Sequence, residues 1–169
     1  MIEAIRSIVP SLVTREQAAQ ISYVERKRHG KVVFTNGVFD ILHRGHVEYL
    51  HEARSLGHVL IVGLNSDESV RRIKGANRPL NSEEDRAYML GSLKCVDYVV
   101  LFDEDTPAEL IATVLPSVLV KGGDYRAEDV VGYDVVTKQG GQVLTIPFRE
   151  GYSTSSLIET IVERYGQDV

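Results

Sequence analysis

From Val32 onward two apolar patterns alternate along the chain. Short unbroken runs rich in Val and Ile predict strands at residues 32–35, 59–64, 98–101, 118–120 and 143–146. Runs without polar alternation are expected of strands covered on both faces, as in a parallel sheet. Between them, apolar residues three and four apart predict helices at about 46–55, 82–93, 108–114 and 154–165, with shorter ones at 67–73 and 134–139. Strand and helix in strict alternation give an α/β protein, an open doubly wound parallel sheet of about five strands. Residues 1–30 read as an N-terminal helical extension ahead of a domain spanning 31–169. Thr14-Arg15-Glu16-Gln17 has the capping-box form, and Gly30 is placed to end the helix.

Sheets of this kind bind ligands beyond the carboxyl ends of their strands. The residues with chemistry to offer fall there: Asn36 to His46, Asn65 to Asp67, Lys121 to Tyr125, and Phe148 to Ser155. Within the first group, Gly37-Val38-Phe39-Asp40 is followed by His43-Arg44-Gly45-His46 where a strand feeds a helix. A helix N-terminus gathers unpaired N–H groups and positive potential, which suits phosphate. Imidazole can donate to a phosphate oxygen and carry partial or full charge near neutral pH. The alternative is one histidine capping the helix and the other packing. A zinc site is a weaker rival, with only His51 and Cys95 as further soft ligands and no fitting spacing.

Composition narrows the field. A net charge of -5 without a long basic block argues against nucleic acid and membrane surfaces as partners. One cysteine, Cys95, excludes an intrachain disulfide and suits a reducing, cytoplasmic setting. No leader is recognised in the first ten residues, and no apolar run approaches the ~18 residues of a membrane span. Cys95 itself reads as core.

The stretch Gly37–His46 resembles the signature of the cytidylyltransferase-like nucleotidyltransferases. The likeness continues through Asn65-Ser66-Asp67-Glu68-Ser69-Val70, Lys74-Gly75-Ala76-Asn77-Arg78-Pro79, Val96-Asp97-Tyr98, Leu119-Val120-Lys121-Gly122-Gly123-Asp124-Tyr125 and Gly151-Tyr152-Ser153-Thr154-Ser155. Within that family the set looks most like the adenylyltransferases of D-glycero-D-manno-heptose 1-phosphate, in stand-alone form. The resemblance implies a Rossmann-like sheet, a homo-oligomer, and magnesium brought with ATP rather than a metal held directly by protein ligands. It implies a reaction in which ATP and the sugar 1-phosphate give ADP-heptose and pyrophosphate, in lipopolysaccharide core biosynthesis. Three positions depart from the pattern. Val38 stands where Cys or Thr is usual, Arg149 is one residue from the arginine of glycerol-phosphate enzymes (Phe148 takes its place), and Tyr152 replaces a smaller residue.

The resemblance also assigns roles. His43, His46, Lys74 and Arg86 would stabilise phosphate charge as the catalytic set. Asn36, Gly37, Val38, Phe39, Gly45, Lys121, Gly122, Gly123, Asp124, Ser153, Thr154 and Ser155 would join the histidines around the nucleotide. Asp40, Asn65, Asp67, Lys74 and Arg78 would face the sugar phosphate. For Arg86 an ion pair with Glu83 or another acid is the alternative. Asp40 and Asp67 have three open roles: orienting a histidine, meeting magnesium through water, or binding sugar hydroxyls. Two rival functions stand beside the main one: a cytidylyltransferase for glycerol 3-phosphate or a similar alcohol phosphate, and a nucleotide-binding module without turnover.

Overall fold

A computed structural model describes residues 11–147, 149 and 151–166. The first ten residues of the expected N-terminal extension, and Phe148, lie outside them. The chain runs α1 (Arg15–Lys27), β1 (Val32–Gly37), α2 (Arg44–Ser55), β2 (Val59–Asn65), α3 (Asp67–Lys74), α4 (Glu83–Gly91), β3 (Tyr98–Phe102), α5 (Ala108–Val114), β4 (Val118–Gly122), α6 (Tyr133–Lys138), β5 (Gln142–Ile146) and α7 (Thr154–Tyr165). All strand pairings are parallel and the order is β3-β2-β1-β4-β5. This is the Rossmann-like α/β sheet, and its order reverses between β1 and β4.

Alternate strand residues feed two cores. Val33, Leu60, Val62, Val99 and Val120 point to one face, where Leu50 and Ala53 of α2 and Ala87 and Leu90 of α4 cover them. Val32, Phe34, Ile61, Val100 and Leu119 point to the other, beneath Ala18 of α1, Leu110 and Ile111 of α5, and Val136 of α6. Cys95 is buried in the first core. Among the described residues no helix is long and apolar enough to cross a membrane.

The strands outrun their apolar patterns at the functional edge. β1 continues through Asn36 and Gly37, paired with Gly63 and Leu64, and β4 through Lys121 and Gly122, paired with Thr145 and Ile146. Hydrophobicity marks what is buried, whereas the ladder extends as far as backbone partners reach. The end of α1 also differs from expectation. Arg28 is its C-cap, and His29, not Gly30, takes the left-handed conformation at φ 60°. The Gly30 N–H donates to Glu25 O at 2.8 Å. Ahead of α1, Val99 N donates to Ser11 O and Val13 N to Val99 O, at 2.9 and 3.0 Å, so residues 11–13 run along β3. Leu12 and Val13 are buried, one in each core.

Candidate active site

A cleft of about 560 Å³ opens over the carboxyl ends of the strands, at the point where their order reverses. Its floor is made by Asn36 and Gly37 of β1, Asn65 of β2, and Lys121 and Gly122 of β4. Val38, Phe39 and Asp40 follow from β1, while His46 and Tyr49 enter from α2, Lys74 from α3, and Thr154 and Ser155 from α7. Helices and strands thus carry most of these residues, and the turn after β1 adds three in sequence.

That turn is tightly constrained. Phe39 holds φ 48° although it has a side chain, an uncommon conformation that needs support from its surroundings. A Cβ on Gly37 would lie 2.9 Å from the Phe39 ring. His43 is the N-cap of α2, its ring nitrogen accepting from His46 N at a long 3.4 Å. Histidine is outside the usual capping set, so the helix begins two residues before its apolar pattern does. The His43 and His46 rings stack at 3.8 Å with an interplanar angle of 17°, and Phe39 meets His46 edge-on at 5.3 Å. Gly45 leaves room for this: a Cβ there would sit 3.0 Å from Tyr152 Cβ and 3.2 Å from His43 Nδ1. His46 forms part of the cleft wall; His43 stacks on it and does not itself line the cleft.

Burial is the main cause that lowers the His46 pKa to about 4, with the neighbouring His43 adding to it against an opposing pull from the Ile41 backbone. Burial lowers His43 as well. Of the expected pair of properties, donation and charge near neutral pH, burial leaves the first: in the free protein His46 is a neutral donor. This has a measurable consequence. An unfolded chain protonates His46 near its ordinary 6.5, while the folded one resists until about 4. Stability from this site is complete above pH 6.5 and declines as pH falls toward 4. Melting temperature should drop between pH 7 and pH 5, and His46→Gln should flatten that slope; an unchanged slope in the variant would contradict it.

Lys74 and Lys121 share the cleft. Burial first, then the charge of Lys74, lowers the Lys121 pKa. Two cations pressed together in a partly dry site gain from an anion between them. Arg78 also lines the cleft, but its Nε donates to Asp40 Oδ2 at 2.6 Å.

The acids serve the architecture. The Asp40 side chain is fully buried and accepts from Arg78, Leu80 N and Asn81 N, so it organises the 78–81 loop. Arg86 is fully buried and absent from the cleft wall. Its guanidinium donates to Val38 O at 2.7 Å, Asn81 O at 3.1 Å and Asp67 Oδ1 at 2.8 Å. Of the two readings open for Arg86, the structure shows the ion pair, with Asp67 rather than Glu83, and each of its three nitrogens has a partner inside the protein. Asp67, held by Arg86, stands outside the wall too. Asn65 is on the floor, its Nδ2 donating to Ser69 Oγ at 3.0 Å. Gly123 and Asp124 form the turn after β4 and do not line the cleft, although Gly122 does.

At α7, Ser153 is the N-cap, accepting from Ser156 N in a reciprocal capping box. Thr154 and Ser155, the first two residues of the helix, line the cleft. The two roles of this hydroxyl cluster thus separate by residue. Ser153→Ala should cost ~1 kcal/mol of stability and leave the KM for a nucleotide nearly unchanged. Thr154→Ala should raise that KM with little change in melting temperature. Equal effects of both variants on KM would remove the distinction. Arg149 lies beside α2: it donates to both Glu48 oxygens at 2.9 and 2.8 Å and sits 5.8 Å over the Tyr152 ring.

Several wall residues escaped the sequence reading. Tyr49 OH pairs with Thr35 Oγ1 at 2.6 Å, and burial pushes its pKa up to about 12. Ile73, Asp105, Thr106, Pro107 and Val131 also line the cleft, as does Tyr125, which the sequence places after β4 without assigning it a role. Asp105 to Pro107 follow β3 just as the recognised groups follow the other strands, so their position alone could have flagged them.

The cytidylyltransferase-like family model matches residues 34–160. The chain is 57% identical over 153 residues to the bifunctional protein HldE of Syntrophotalea carbinolica, covering 90% of this chain and 31% of that protein. It is 52% identical over 151 residues to the HldE of Coxiella burnetii, covering 89% and 32%. The chain thus spans about a third of the length of these relatives. Among solved structures, a lipopolysaccharide core biosynthesis protein from Thermoplasma volcanium matches with a TM-score of 0.59 and 29% identity, over 73% of this chain and 99% of that one. A pantoate-beta-alanine ligase from Francisella tularensis shares the fold at a TM-score of 0.55 and 17% identity, over 82% of this chain and 67% of that one.

Proposed function

Since the chain belongs to the cytidylyltransferase-like family, we propose that it is a nucleotidyltransferase that joins D-glycero-D-manno-heptose 1-phosphate to ATP. The products are ADP-heptose and pyrophosphate, for lipopolysaccharide core biosynthesis. The observation that carries this reading is the cleft itself: His46, Lys74, Lys121 and two α7 hydroxyl residues converge on one space at the sheet's reversal point. The HldE relatives and the core-biosynthesis structure support the choice of sugar phosphate.

An oxygen of the sugar phosphate attacks the α-phosphorus of ATP, and pyrophosphate leaves in line. The attacking group is already an anion, so no protein nucleophile or base is required. The protein's work is positioning and charge stabilisation. His46 donates to triphosphate oxygens, Lys74 and Lys121 neutralise the phosphates that meet between them, and the start of α7 receives the nucleotide's distal phosphates. Magnesium bound with ATP supplies further neutralisation of phosphate oxygens. The cleft's carboxylates, Asp40 and Asp105, are engaged by Arg78 and Arg72, and among the described residues no three acidic, His or Cys side chains cluster as a metal cage. In this reading the metal would arrive bound to the nucleotide. A homo-oligomer belongs to the same proposal and is measured by light scattering.

The test is pyrophosphate release with ATP, CTP, GTP and UTP in turn, against both anomers of heptose 1-phosphate and against glycerol 3-phosphate. ATP with one heptose anomer should be the productive pair. Preference for CTP with glycerol 3-phosphate would replace this reading with the cytidylyl one; nucleotide binding without pyrophosphate from any acceptor would leave a binding module.

A further inference from the structure

Two of the positions that depart from the family pattern, Arg149 and Tyr152, lie on the segment that joins β5 to α7. That segment ends at Ser153, and the next two residues line the cleft. No residue of α7 is buried, so packing in the core does not set where this helix begins. The segment is instead laid against the start of α2. Near one end, Arg149 donates to both oxygens of Glu48, which also accepts from Arg44 Nε at 2.7 Å. At the other end, the Tyr152 ring lies 6.2 Å from the His43 ring, tilted by 35°. Tyr152 comes so close to the first turn of α2 that a Cβ on Gly45 would touch its own Cβ at 3.0 Å. The guanidinium of Arg149 over the Tyr152 ring joins the two ends.

We propose that Glu48, Arg149 and Tyr152 form a clasp that sets the start of α7 against His46, with Arg149 a positioning residue that acts on the nucleotide through the clasp. The inference rests on the nucleotidyltransferase reading above, which gives these three residues no part. None of them lines the cleft. The helices they join both do: α2 brings His46, and α7 brings Thr154 and Ser155. Arg149 first, and then Arg44, hold the Glu48 carboxyl below its usual range, so the anchor stays charged. An exposed ion pair adds little to folding, but a small misplacement of groups that bind one ligand is felt strongly. The clasp therefore shows itself in nucleotide affinity more than in stability.

The experiment compares wild type, Glu48→Ala, Arg149→Met, the double variant and Tyr152→Leu. It measures KM for ATP and for heptose 1-phosphate, the Kd of ATP by calorimetry, and melting temperature. Glu48→Ala and Arg149→Met should each raise the KM and Kd for ATP by about fivefold, and the double variant by no more than either alone, because both open the same clasp. Tyr152→Leu should raise them by about threefold, on the scale of a lost cation–π contact. The KM for heptose 1-phosphate should stay within about twofold, and melting temperatures within about 2 °C, since these side chains are partly exposed. If Arg149→Met weakens ATP while Glu48→Ala leaves it unchanged or tightens it, Arg149 meets phosphate directly and the clasp is overturned. Independent, multiplying effects of the two changes, or unchanged ATP affinity in all variants, would overturn it as well. Absence of pyrophosphate from the wild type with any sugar phosphate would overturn the reading of the enzyme, and the Kd values would still decide the clasp.

Discussion

His46→Ala lowers kcat by about 10²-fold or more while the protein stays folded. One preorganised donor aimed at developing phosphate charge is worth that much when removed. His46 is suited to the task because it stands in the cleft wall, braced by the His43 ring on one face and by Phe39 at its edge. Its position on the first turn of α2 leaves the buried anchors Tyr49, Leu50 and Ala53 untouched. His43→Ala should also reduce turnover, by loosening the stack and the N-cap, and the double variant should fall short of the product of the two. Steady-state kinetics beside a melting curve decides it. Wild-type turnover in folded His46→Ala protein would end the assignment.

Arg86→Ala should be the most destabilising single change near the site. It removes a fully buried guanidinium and strands Asp67 and the Val38 and Asn81 carbonyls at once. Breaking a buried pair by deleting one partner costs ~3–5 kcal/mol, and each kcal/mol moves the melting temperature by ≈ 2–4 °C at this chain length. A fall of roughly 10 °C is the expected reading. Activity should fall with it, because the peptide after Val38 leads into Phe39 at φ 48°, and the arginine fixes that peptide's carbonyl. Arg86→Lys keeps the charge but not the planar fork, so it should recover stability only in part. An unchanged melting temperature with lost turnover would return Arg86 to direct phosphate contact.

The frame of this site was legible from pattern alone, since unbroken Val and Ile runs and helical spacing placed the strands and helices within a residue or two. α5 and α7 begin and end where their apolar spacing says. Residue types that favour phosphate were found because they sit at the strands' carboxyl ends. What could not be read was which of them face the cleft. Arg86 and Lys74 are both cations on short helices, yet one is fully buried under the β1 turn and the other lines the opening. That difference depends on long-range partners, Val38 and Asp67 for Arg86, which no local spacing encodes. Asp40 was likewise visible as an acid in a signature, but its three partners in the 78–81 loop come from about forty residues away. The charge state of His46 was out of reach for the same reason, since burial and stacking are properties of the assembled turn.

The stacked imidazoles also predict a proton inventory for ligand binding. A polyanion placed against two neutral rings raises their affinity for protons, and by reciprocity proton uptake strengthens its binding. ATP should therefore arrive with a fraction of a proton drawn from solution. In calorimetric titrations at neutral pH, the heat of ATP binding should then vary with the ionisation enthalpy of the buffer, and the slope of that plot counts the protons taken up. His46→Gln should bring the slope toward zero.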